Sequence, residues 1–183
     1  MLAAEQIFLQ RGFNKTTMEE VATAAGLHVQ TLYRHFPSKS ELATAINDAS
    51  FEAFQRAFHE RHTSTVSFWR EWVRTSLTKA TSIGTEAFQE SLRERFLKHD
   101  TPAEIFEIDS QYESLLASGL AEDLGLVGTR DKRPMLIACM LWGSHKQMLR
   151  EWATSGSVTN PINEAVSVVN AAIDLLNVDQ SLE

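Results

Sequence analysis

The sequence predicts an all-α protein, and two observations carry this prediction. Apolar residues recur with helical spacing, and no segment alternates strand-forming and polar residues over the length of a strand. The four prolines, at positions 37, 102, 134 and 161, each stand where a helix could begin. We therefore expect helices throughout the chain, joined by short links.

The composition is typical of a folded chain from a reducing compartment. The 183 residues are 43% hydrophobic, which suffices for the core of one domain or of two small ones. The single cysteine, Cys139, excludes an intramolecular disulfide and a cysteine-based zinc site. The longest apolar run, residues 135–143, is much shorter than the roughly 20 residues of a membrane span, and the first residues lack the basic start of a signal peptide. We expect a cytoplasmic protein with no membrane partner.

The first two helices are marked by their ends. The first runs from the start of the chain to about residue 11 and ends at Gly12, a residue type that is favoured just past a helix. Thr17 and Glu20 have the spacing of a capping box, in which each side chain accepts a hydrogen bond from the backbone of the other residue. The second helix is therefore predicted from this box to about residue 25.

The later helices follow from similar signals. Gly26 supplies the left-handed turn that a short corner between two helices needs. A third helix is predicted over about residues 28–36, where Pro37 ends it. Ser38 and Glu41 form a second capping box, which opens a fourth helix through about residue 61. Five further helices are predicted, over about residues 66–82, 85–98, 102–123, 132–154 and 161–177.

The second and third helices have the pattern of a helix-turn-helix. Val21, Ala22, Leu27 and Leu32 would hold the two helices at a fixed angle across the glycine turn. The opposite face of the third helix is mostly polar and suited to a major groove. Any small helical hairpin could share this pattern, so the pattern alone leaves DNA binding open. The outer face consists of His28, Val29, Gln30, Thr31, Tyr33 and Arg34.

The helix-turn-helix is part of a longer signature at fixed spacing. It consists of Gly12-Phe13, Thr16-Thr17, Val21-Ala22, Ala25-Gly26-Leu27, Thr31-Leu32-Tyr33-Arg34-His35-Phe36 and Ser38-Lys39. These residues closely resemble the signature of the TetR family of bacterial transcriptional regulators. The resemblance implies an all-helical homodimer with an N-terminal three-helix DNA-binding domain and a C-terminal domain that binds a small molecule and dimerises. We accordingly expect a DNA-binding domain over residues 1–47 and a ligand-binding and dimerisation domain over residues 48–183.

The resemblance also implies roles for individual residues. The positions that contact the DNA backbone in the family are occupied here by Thr16, Thr17, Tyr33, His35 and Lys39. Hydroxyl and ammonium groups donate hydrogen bonds to phosphate oxygens, so most of these residue types suit that role. The base-reading positions are occupied by His28, Val29, Gln30 and Thr31, of which Gln30 could pair with an adenine edge. Two alternatives stay open, that His35 is a packed structural residue and that Tyr33 is partly in the core.

Other features depart from the family pattern. His28 stands where the family usually has a small capping residue, and Gln30 stands where glycine is frequent, so the operator of a relative does not transfer. Met1 occupies a position that normally follows a short N-terminal arm, so we expect either that the arm is lacking or that the chain starts too late. Residues 1–58 carry five basic and six acidic residues, so charge alone does not indicate DNA binding.

A ligand pocket is expected among the helices of the second domain. Residues 120–125, Arg133-Pro134 and the apolar helix that ends in Trp152 resemble the C-terminal domain of many actinobacterial TetR members. Apolar pockets with a few polar groups are the usual design, which favours an apolar or aromatic effector, whereas plain core packing is the alternative for each aromatic residue. The candidate pocket residues are Phe68, Trp72, Phe88, Phe96, Phe106, Tyr112, Trp142 and His145.

The last two predicted helices each carry apolar residues on two sides. A helix of this kind needs two partners, of which one is the core of its own domain. The same helix pair in a second subunit would supply the other and give a two-fold four-helix interface, and a fully buried central helix is the alternative. The predicted interface residues are Leu141, Leu149, Trp152, Val166, Val169, Ile173 and Leu176.

No catalytic residue, cofactor or metal site is predicted. The sequence has no glycine-rich phosphate loop and no G-x-S-x-G motif, and we interpret His59 and His62 as a solvated face rather than as metal ligands. We expect a homodimeric regulator, most simply a repressor, that binds a pseudo-palindromic operator in double-stranded DNA and is released by a small apolar or aromatic effector. The alternative is a helical small-molecule binding protein with weak or lost DNA binding.

Overall fold

The computed structural model describes residues 1–97, 103–156 and 160–178, and these residues form helices and no strand. The all-α prediction is confirmed. Each described helix begins and ends within two residues of its predicted position. The helices are α1 (Leu2–Arg11), α2 (Met18–Ala24), α3 (Val29–His35), α4 (Lys39–His59), α5 (Thr65–Thr81), α6 (Thr85–Leu97), α7 (Ala103–Asp123), α8 (Arg133–Thr154) and α9 (Pro161–Val178).

The predicted caps fix the corners around α2 and α3. Thr17 Oγ1 accepts a hydrogen bond from the Glu20 backbone N–H at 3.2 Å, and the Glu20 carboxylate accepts one from the Thr17 backbone N–H at 2.9 Å. Ser38 Oγ accepts a hydrogen bond from the Glu41 backbone N–H at 3.1 Å. Gly26 has a φ of 66°, a left-handed conformation that glycine adopts without steric cost. The turn between α2 and α3 is therefore set by local sequence.

The buried side chains form two separate clusters, and α4 contributes to both. Leu42 of α4 belongs to the N-terminal cluster, whereas Phe54 and Phe58 of the same helix belong to the larger C-terminal cluster. The boundary predicted between residues 47 and 48 falls inside this continuous helix, and it stays a prediction. The N-terminal cluster consists of Ala4, Met18, Val21, Ala22, Leu32 and Leu42.

A second connection between the two clusters runs through α1. This helix packs against α6, where Ser91 Oγ donates a hydrogen bond to the Phe8 carbonyl at 3.3 Å. Lys79 of α5 forms an ion pair with Glu5 at 3.1 Å. In the C-terminal half, α8 packs against α6, α7 and α9. None of the helices in the described ranges is long and apolar enough to cross a membrane.

At Gly119, α7 comes close to side chains of α4 and α5. A Cβ atom at this position would lie 2.4 Å from Phe58 Cζ and 2.6 Å from Thr65 Oγ1. Both of those side chains are buried, so they have little room to move. We expect Gly119→Ala to lower the free energy of unfolding, because overpacking costs about 1–3 kcal/mol and outweighs the gain of up to about 1 kcal/mol in helix propensity. Chemical denaturation measures the difference.

Gly143 of α8 provides the matched control for Gly119. It also lies inside a helix, but no atom is within 4 Å of the place where its Cβ would stand. Gly143→Ala is therefore expected to leave the stability unchanged or to raise it by up to about 1 kcal/mol. Equal destabilisation by the two substitutions would contradict the steric explanation.

Candidate functional site

The third helix presents a polar face away from the N-terminal core. Leu32 is 4% exposed and anchors α3 in that core, while Val29 and Thr31 are half-buried at its edge. Leu27, predicted to share this anchoring, is 46% exposed because it lies in the turn beside Gly26 rather than on either helix. The exposed residues at the start of α3 and along it are His28, Gln30, Tyr33, Arg34 and His35.

His28 replaces the small capping residue of the family and performs the same task. Its Nδ1 accepts a hydrogen bond from the Gln30 backbone N–H at 3.4 Å, which satisfies one of the unpaired donors at the start of α3. An imidazole nitrogen therefore serves where a hydroxyl oxygen is usual. The ring remains exposed beside Gln30, so it also enlarges the surface that α3 presents.

Tyr33 and His35 are surface residues in this structure. Tyr33 is 43% exposed, and His35 is exposed at the end of α3. The alternative that placed His35 in a packed structural position is therefore wrong, whereas Tyr33, with more than half of its surface covered, is partly packed and partly accessible. Both side chains are accessible to a partner at the surface of the domain.

Thr16 and Lys39 both form hydrogen bonds within the protein. For Thr16 this contradicts the predicted contact with the DNA backbone, and for Lys39 it limits that contact. Thr16 is 1% exposed, and its Oγ1 donates a hydrogen bond to the Gly12 carbonyl at 2.9 Å. Lys39 Nζ donates to the carbonyls of Phe13 and Thr16 at 2.7 and 2.8 Å and lies 4.4 Å from the centre of the Phe13 ring. The Thr16 side chain has almost no surface for a phosphate, so its role is structural. Lys39 ties the link between α1 and α2 to the start of α4.

Few positive charges of the N-terminal domain are free. Arg11 forms an ion pair with Glu20 at 3.0 Å, and Lys15 forms one with Glu94 of α6 at 2.9 Å. Within residues 1–47, all of which the structure describes, Arg34 is exposed and has no ion-pair or hydrogen-bond partner. Attraction of this surface to a polyanion therefore depends on a small number of side chains.

Most of the predicted pocket residues meet in one aromatic cluster of the C-terminal core. Tyr112 of α7 stacks on Trp142 of α8, with ring centres 4.4 Å apart. Phe54 of α4 lies 4.8 Å from Tyr112 and 5.1 Å from Trp72, and Trp69 lies 5.5 Å from both Trp142 and His145. We call this set the aromatic cluster, and it consists of Phe54, Phe68, Trp69, Trp72, Tyr112, Trp142 and His145.

Phe54 and Trp69 were missed as candidates for this site. Both lie on apolar helix faces and are buried, at 0% and 1% exposure, so the sequence offers no signal that separates them from ordinary core residues. Phe88 packs instead against Trp152, with ring centres 5.7 Å apart, and Phe96 lies 5.4 Å from the Arg150 guanidinium. Neither has a ring contact with the aromatic cluster among the described residues. The side chain of Phe106 lies outside the described residues.

Polar groups border the aromatic cluster on its α7–α8 side. Trp142 Nε1 donates a hydrogen bond to Asp109 Oδ1 at 3.1 Å, and Lys146 Nζ donates to the other oxygen of the same carboxylate. Burial, with a smaller effect of the Asp109 charge, raises the pKa of Tyr112 to about 12, so its phenol is neutral. Burial lowers the pKa of His145 to about 4, so its imidazole is also neutral near pH 7.

The predicted dimer interface is only partly on the surface. Leu141, Trp152 and Val169 are at most 2% exposed and belong to the core of their own chain, so they have no surface with which to contact a partner. Leu149, Val166 and Ile173 are half-buried, and the side chain of Leu176 lies outside the described residues. The exposed apolar residues of α8 and α9 are different ones, namely Met135 at 49%, Leu136 at 61% and Leu175 at 67% exposure.

His59 and His62 are both exposed near the end of α4. Across the described part of the chain, no three histidine, cysteine, aspartate or glutamate side chains come together as a metal site.

Comparison with known proteins identifies the domain that carries α3. Residues 1–46 match the family model described as "Bacterial regulatory proteins, tetR family". The N-terminal domain belongs to the TetR family. Curated relatives match a stretch of similar length. TcmR of Streptomyces glaucescens, a transcriptional regulator, is 41% identical over 58 residues, which are 32% of this chain and 26% of TcmR.

A second relative is similar over a stretch of comparable length. The transcriptional repressor BepR of Brucella suis is 44% identical over 46 residues, which are 25% of this chain and 22% of BepR. The chain thus matches only about a quarter of the length of either relative.

Solved structures extend the likeness of the fold to the second domain. The transcriptional regulator FadR of Bacillus subtilis, solved in complex with stearoyl-CoA, has a TM-score of 0.67 and 16% sequence identity. The match covers 93% of this chain and 94% of that chain. At this identity, the comparison shows that the whole chain has the TetR-like fold of an N-terminal helix-turn-helix and a helical C-terminal domain.

Proposed function

We propose that the chain is a ligand-responsive transcriptional regulator that binds a pseudo-palindromic operator in double-stranded DNA as a homodimer. The observation that carries the proposal is the exposed polar face of α3 on a TetR-family domain. Leu32 anchors the helix from behind, so this face is presented as a rigid unit. Two such helices, one from each subunit, would enter successive major grooves about 34–36 Å apart.

The proposed contacts divide into base reading and backbone positioning. Gln30 is exposed at the start of α3, and its amide can make two hydrogen bonds to an adenine edge, flanked by His28, Val29 and Thr31. Tyr33, His35 and Thr17 are exposed and carry groups that can bond to phosphate oxygens. The first amides of α4, beside Lys39, add a helix N-terminus to the same phosphate-binding surface.

Substitutions of Gln30 and Tyr33 are expected to have different effects on DNA binding. Gln30→Ala removes a base contact, so it should relax the sequence preference at one position of each half-site, at a cost of about 1–3 kcal/mol for the preferred base. Tyr33→Phe removes only a hydroxyl on a phosphate, so it should weaken binding to all sequences about equally. Selection of DNA fragments by each purified protein, followed by sequencing, measures both preferences. Identical preference profiles for wild type and Gln30→Ala would refute the base-reading role.

The second candidate function is a helical small-molecule binding protein with weak DNA binding. The scarcity of free positive side chains in the N-terminal domain favours it. Salt dependence separates the two, because log affinity for DNA falls linearly with log salt in proportion to the number of phosphates contacted. A regulator is expected to select one pseudo-palindrome at moderate salt with a shallow but measurable slope. Failure to enrich any fragment would favour the second candidate.

Dimerisation is proposed through the exposed stripe of α8. Leu136 and Cys139 lie one helical turn apart, and both are exposed in the single chain. A short link joins α8 to α9, so the two helices pack antiparallel, which places Leu175 at the same end as Leu136. A second copy of this surface, related by a two-fold axis, would cover these apolar side chains.

Leu136→Glu is expected to convert the dimer into monomers, because it places charges against each other across the two-fold axis. Sedimentation velocity at micromolar concentration measures the change. Val127→Glu is the matched control, since Val127 is 67% exposed but lies in the link between α7 and α8 rather than on the stripe. A dimer that survives Leu136→Glu, or that is lost in both variants, would contradict this interface.

A small apolar or aromatic effector is proposed to bind at the aromatic cluster and release the operator. Phe54 places α4 in direct contact with that cluster, and the other end of α4 is anchored by Leu42 in the DNA-binding domain. A ligand that rearranges the cluster would therefore tilt α4 and change the spacing of the recognition helices. The coupling is reciprocal, so operator DNA must lower the affinity of the protein for the effector.

We propose that the regulator is a repressor, because occupancy of an operator suffices for repression, whereas activation also requires recruitment of polymerase.

A further inference from the structure

Two polar atoms in the aromatic cluster are enclosed without a hydrogen-bond partner among the described residues. They are Nε1 of Trp69 on α5 and Nδ1 of His145 on α8. The two rings are in edge-to-face contact, with centres 5.5 Å apart and planes at 86°. Buried polar groups in proteins are nearly always paired, and an unpaired one costs stability. Two such atoms on adjoining rings therefore indicate a place where a ligand supplies the missing partners.

The chemistry of the two atoms defines the group that would satisfy them. The indole N–H of Trp69 is a donor only, so it needs an acceptor. His145 is neutral, and its Nδ1 accepts a hydrogen bond when the ring proton is on Nε2. A hydroxyl group both accepts and donates, so a single hydroxyl can serve the two neighbours together. An ether oxygen can serve only the indole.

The surroundings favour an aromatic compound. Rings of Trp69 and Trp142 flank His145, and these flat apolar surfaces match another aromatic ring. The polar groups at the edge of the cluster are engaged with one another. The ammonium of Lys146 is paired with Asp109, whose second oxygen is bound by Trp142 Nε1, and the Arg95 guanidinium interacts electrostatically with the same carboxylate.

We propose that the effector is an aromatic compound whose hydroxyl accepts a hydrogen bond from Trp69 Nε1 and donates one to His145 Nδ1. This inference deepens the proposed function, since it assumes that the aromatic cluster is the effector site. It assigns the polar recognition to a residue pair that is distinct from the Asp109–Lys146 ion pair.

The test compares two aromatic probes, of which only one carries a hydrogen-bond donor. The other also has an additional methyl group, so the variants below are needed to assign a difference in affinity to the donor. 2-Naphthol carries the hydroxyl, and 2-methoxynaphthalene replaces it with an ether that cannot donate to His145. Isothermal titration calorimetry on the DNA-free protein is expected to show that 2-naphthol binds about tenfold more tightly than the ether. Equal affinities, or no binding of 2-naphthol up to about 1 mM, would overturn the proposal.

Two variants locate the recognition at the proposed pair. His145→Phe removes the acceptor that only 2-naphthol can use, so we expect the affinity ratio of the two probes to fall towards one. Trp69→Phe removes the donor that both probes use, so we expect it to weaken both probes and to keep their ratio. The control His62→Phe replaces an exposed histidine outside the cluster and should change neither the affinities nor the ratio. A wild-type ratio in His145→Phe, or wild-type affinities of both probes in Trp69→Phe, would contradict the assignment.

The ligand-free stability separates recognition from a structural role. Because His145 Nδ1 has no partner to lose, His145→Phe is not expected to lower the Tm, whereas a structural role for the imidazole predicts a fall. None of these measurements involves DNA. Loss of operator binding by the wild-type protein would therefore count against the proposed function alone, and loss of probe discrimination would count against this inference alone.

Discussion

Phe54→Ala is expected to lower the free energy of unfolding by about 3–5 kcal/mol, the largest effect of any substitution considered. The Phe54 ring is 0% exposed and contacts rings from α5 and α7 as well as its own helix. Removing it leaves a cavity between three helices, and packed aromatic neighbours collapse into such a cavity only in part. Urea denaturation followed by circular dichroism measures the loss.

The same substitution is expected to uncouple the effector from the operator. Phe54 and Phe51 join α4 to Tyr112 of the aromatic cluster, at 4.8 and 4.9 Å between ring centres, and Phe54 alone of the two is fully buried, while Leu42 of the same helix lies in the other core. At a temperature where the variant is folded, we expect near-normal operator affinity and a reduced response to effector. Phe88→Ala is the control, because Phe88 is also buried but contacts Trp152 outside the cluster. Loss of the response in both variants would assign it to lowered stability.

Acidification from pH 6.5 to about 4 is expected to destabilise the protein through His145. Burial lowers the pKa of this imidazole from 6.5 to about 4 in the folded chain. Between these values the unfolded chain binds a proton that the folded chain does not, so stability falls as the pH falls. Since one pKa unit is worth about 1.4 kcal/mol, the loss attributable to His145 by pH 4 is about 3 kcal/mol.

The upper part of this pH window distinguishes His145 from the carboxylates. Hydrogen bonds lower the pKa values of Glu20, Glu71 and Asp131 below their ordinary values of 4.5 and 3.8, so their contribution is lost only below that range. His145→Phe is therefore expected to flatten the dependence of stability on pH between 6.5 and 4.5, and His62→Phe to preserve it. An unchanged slope in His145→Phe would show that this imidazole does not govern acid sensitivity.

The positions of the helices were predictable because their signals are local. Thr17 and Glu20 reach each other across one turn, and Gly26 needs only its own backbone freedom to turn the chain. The spacing of Val21 and Leu32 likewise predicted which face of the helix-turn-helix is buried, and the exposure of Gln30 and Tyr33 followed from it. Such features depend on residues a few positions apart, so a short stretch of sequence contains all the groups whose interactions determine them.

The roles of Thr16 and Lys39 were not predictable in the same way. Both residue types suit a phosphate, but the carbonyls that Lys39 binds belong to Phe13 and Thr16, more than twenty positions earlier in the chain. Only the packing of α4 against the link between α1 and α2 brings these groups together. The residue type determines which hydrogen bonds and ion pairs a side chain is able to form. The tertiary structure decides which of these interactions are formed.

The C-terminal helices show the same division for apolar residues. The sequence by itself determined that α8 and α9 are helices with apolar residues on more than one side, but it did not decide which side faces inward. The tertiary structure buries Leu141, Trp152 and Val169 and leaves Leu136 and Leu175 exposed. It also joins Trp69 of α5 to His145 of α8, a pair that no spacing reveals. The hydrophobic effect favours burial of any apolar side of a helix and does not select one. Which side of α8 or α9 is buried is therefore decided by the neighbouring helices that pack against it.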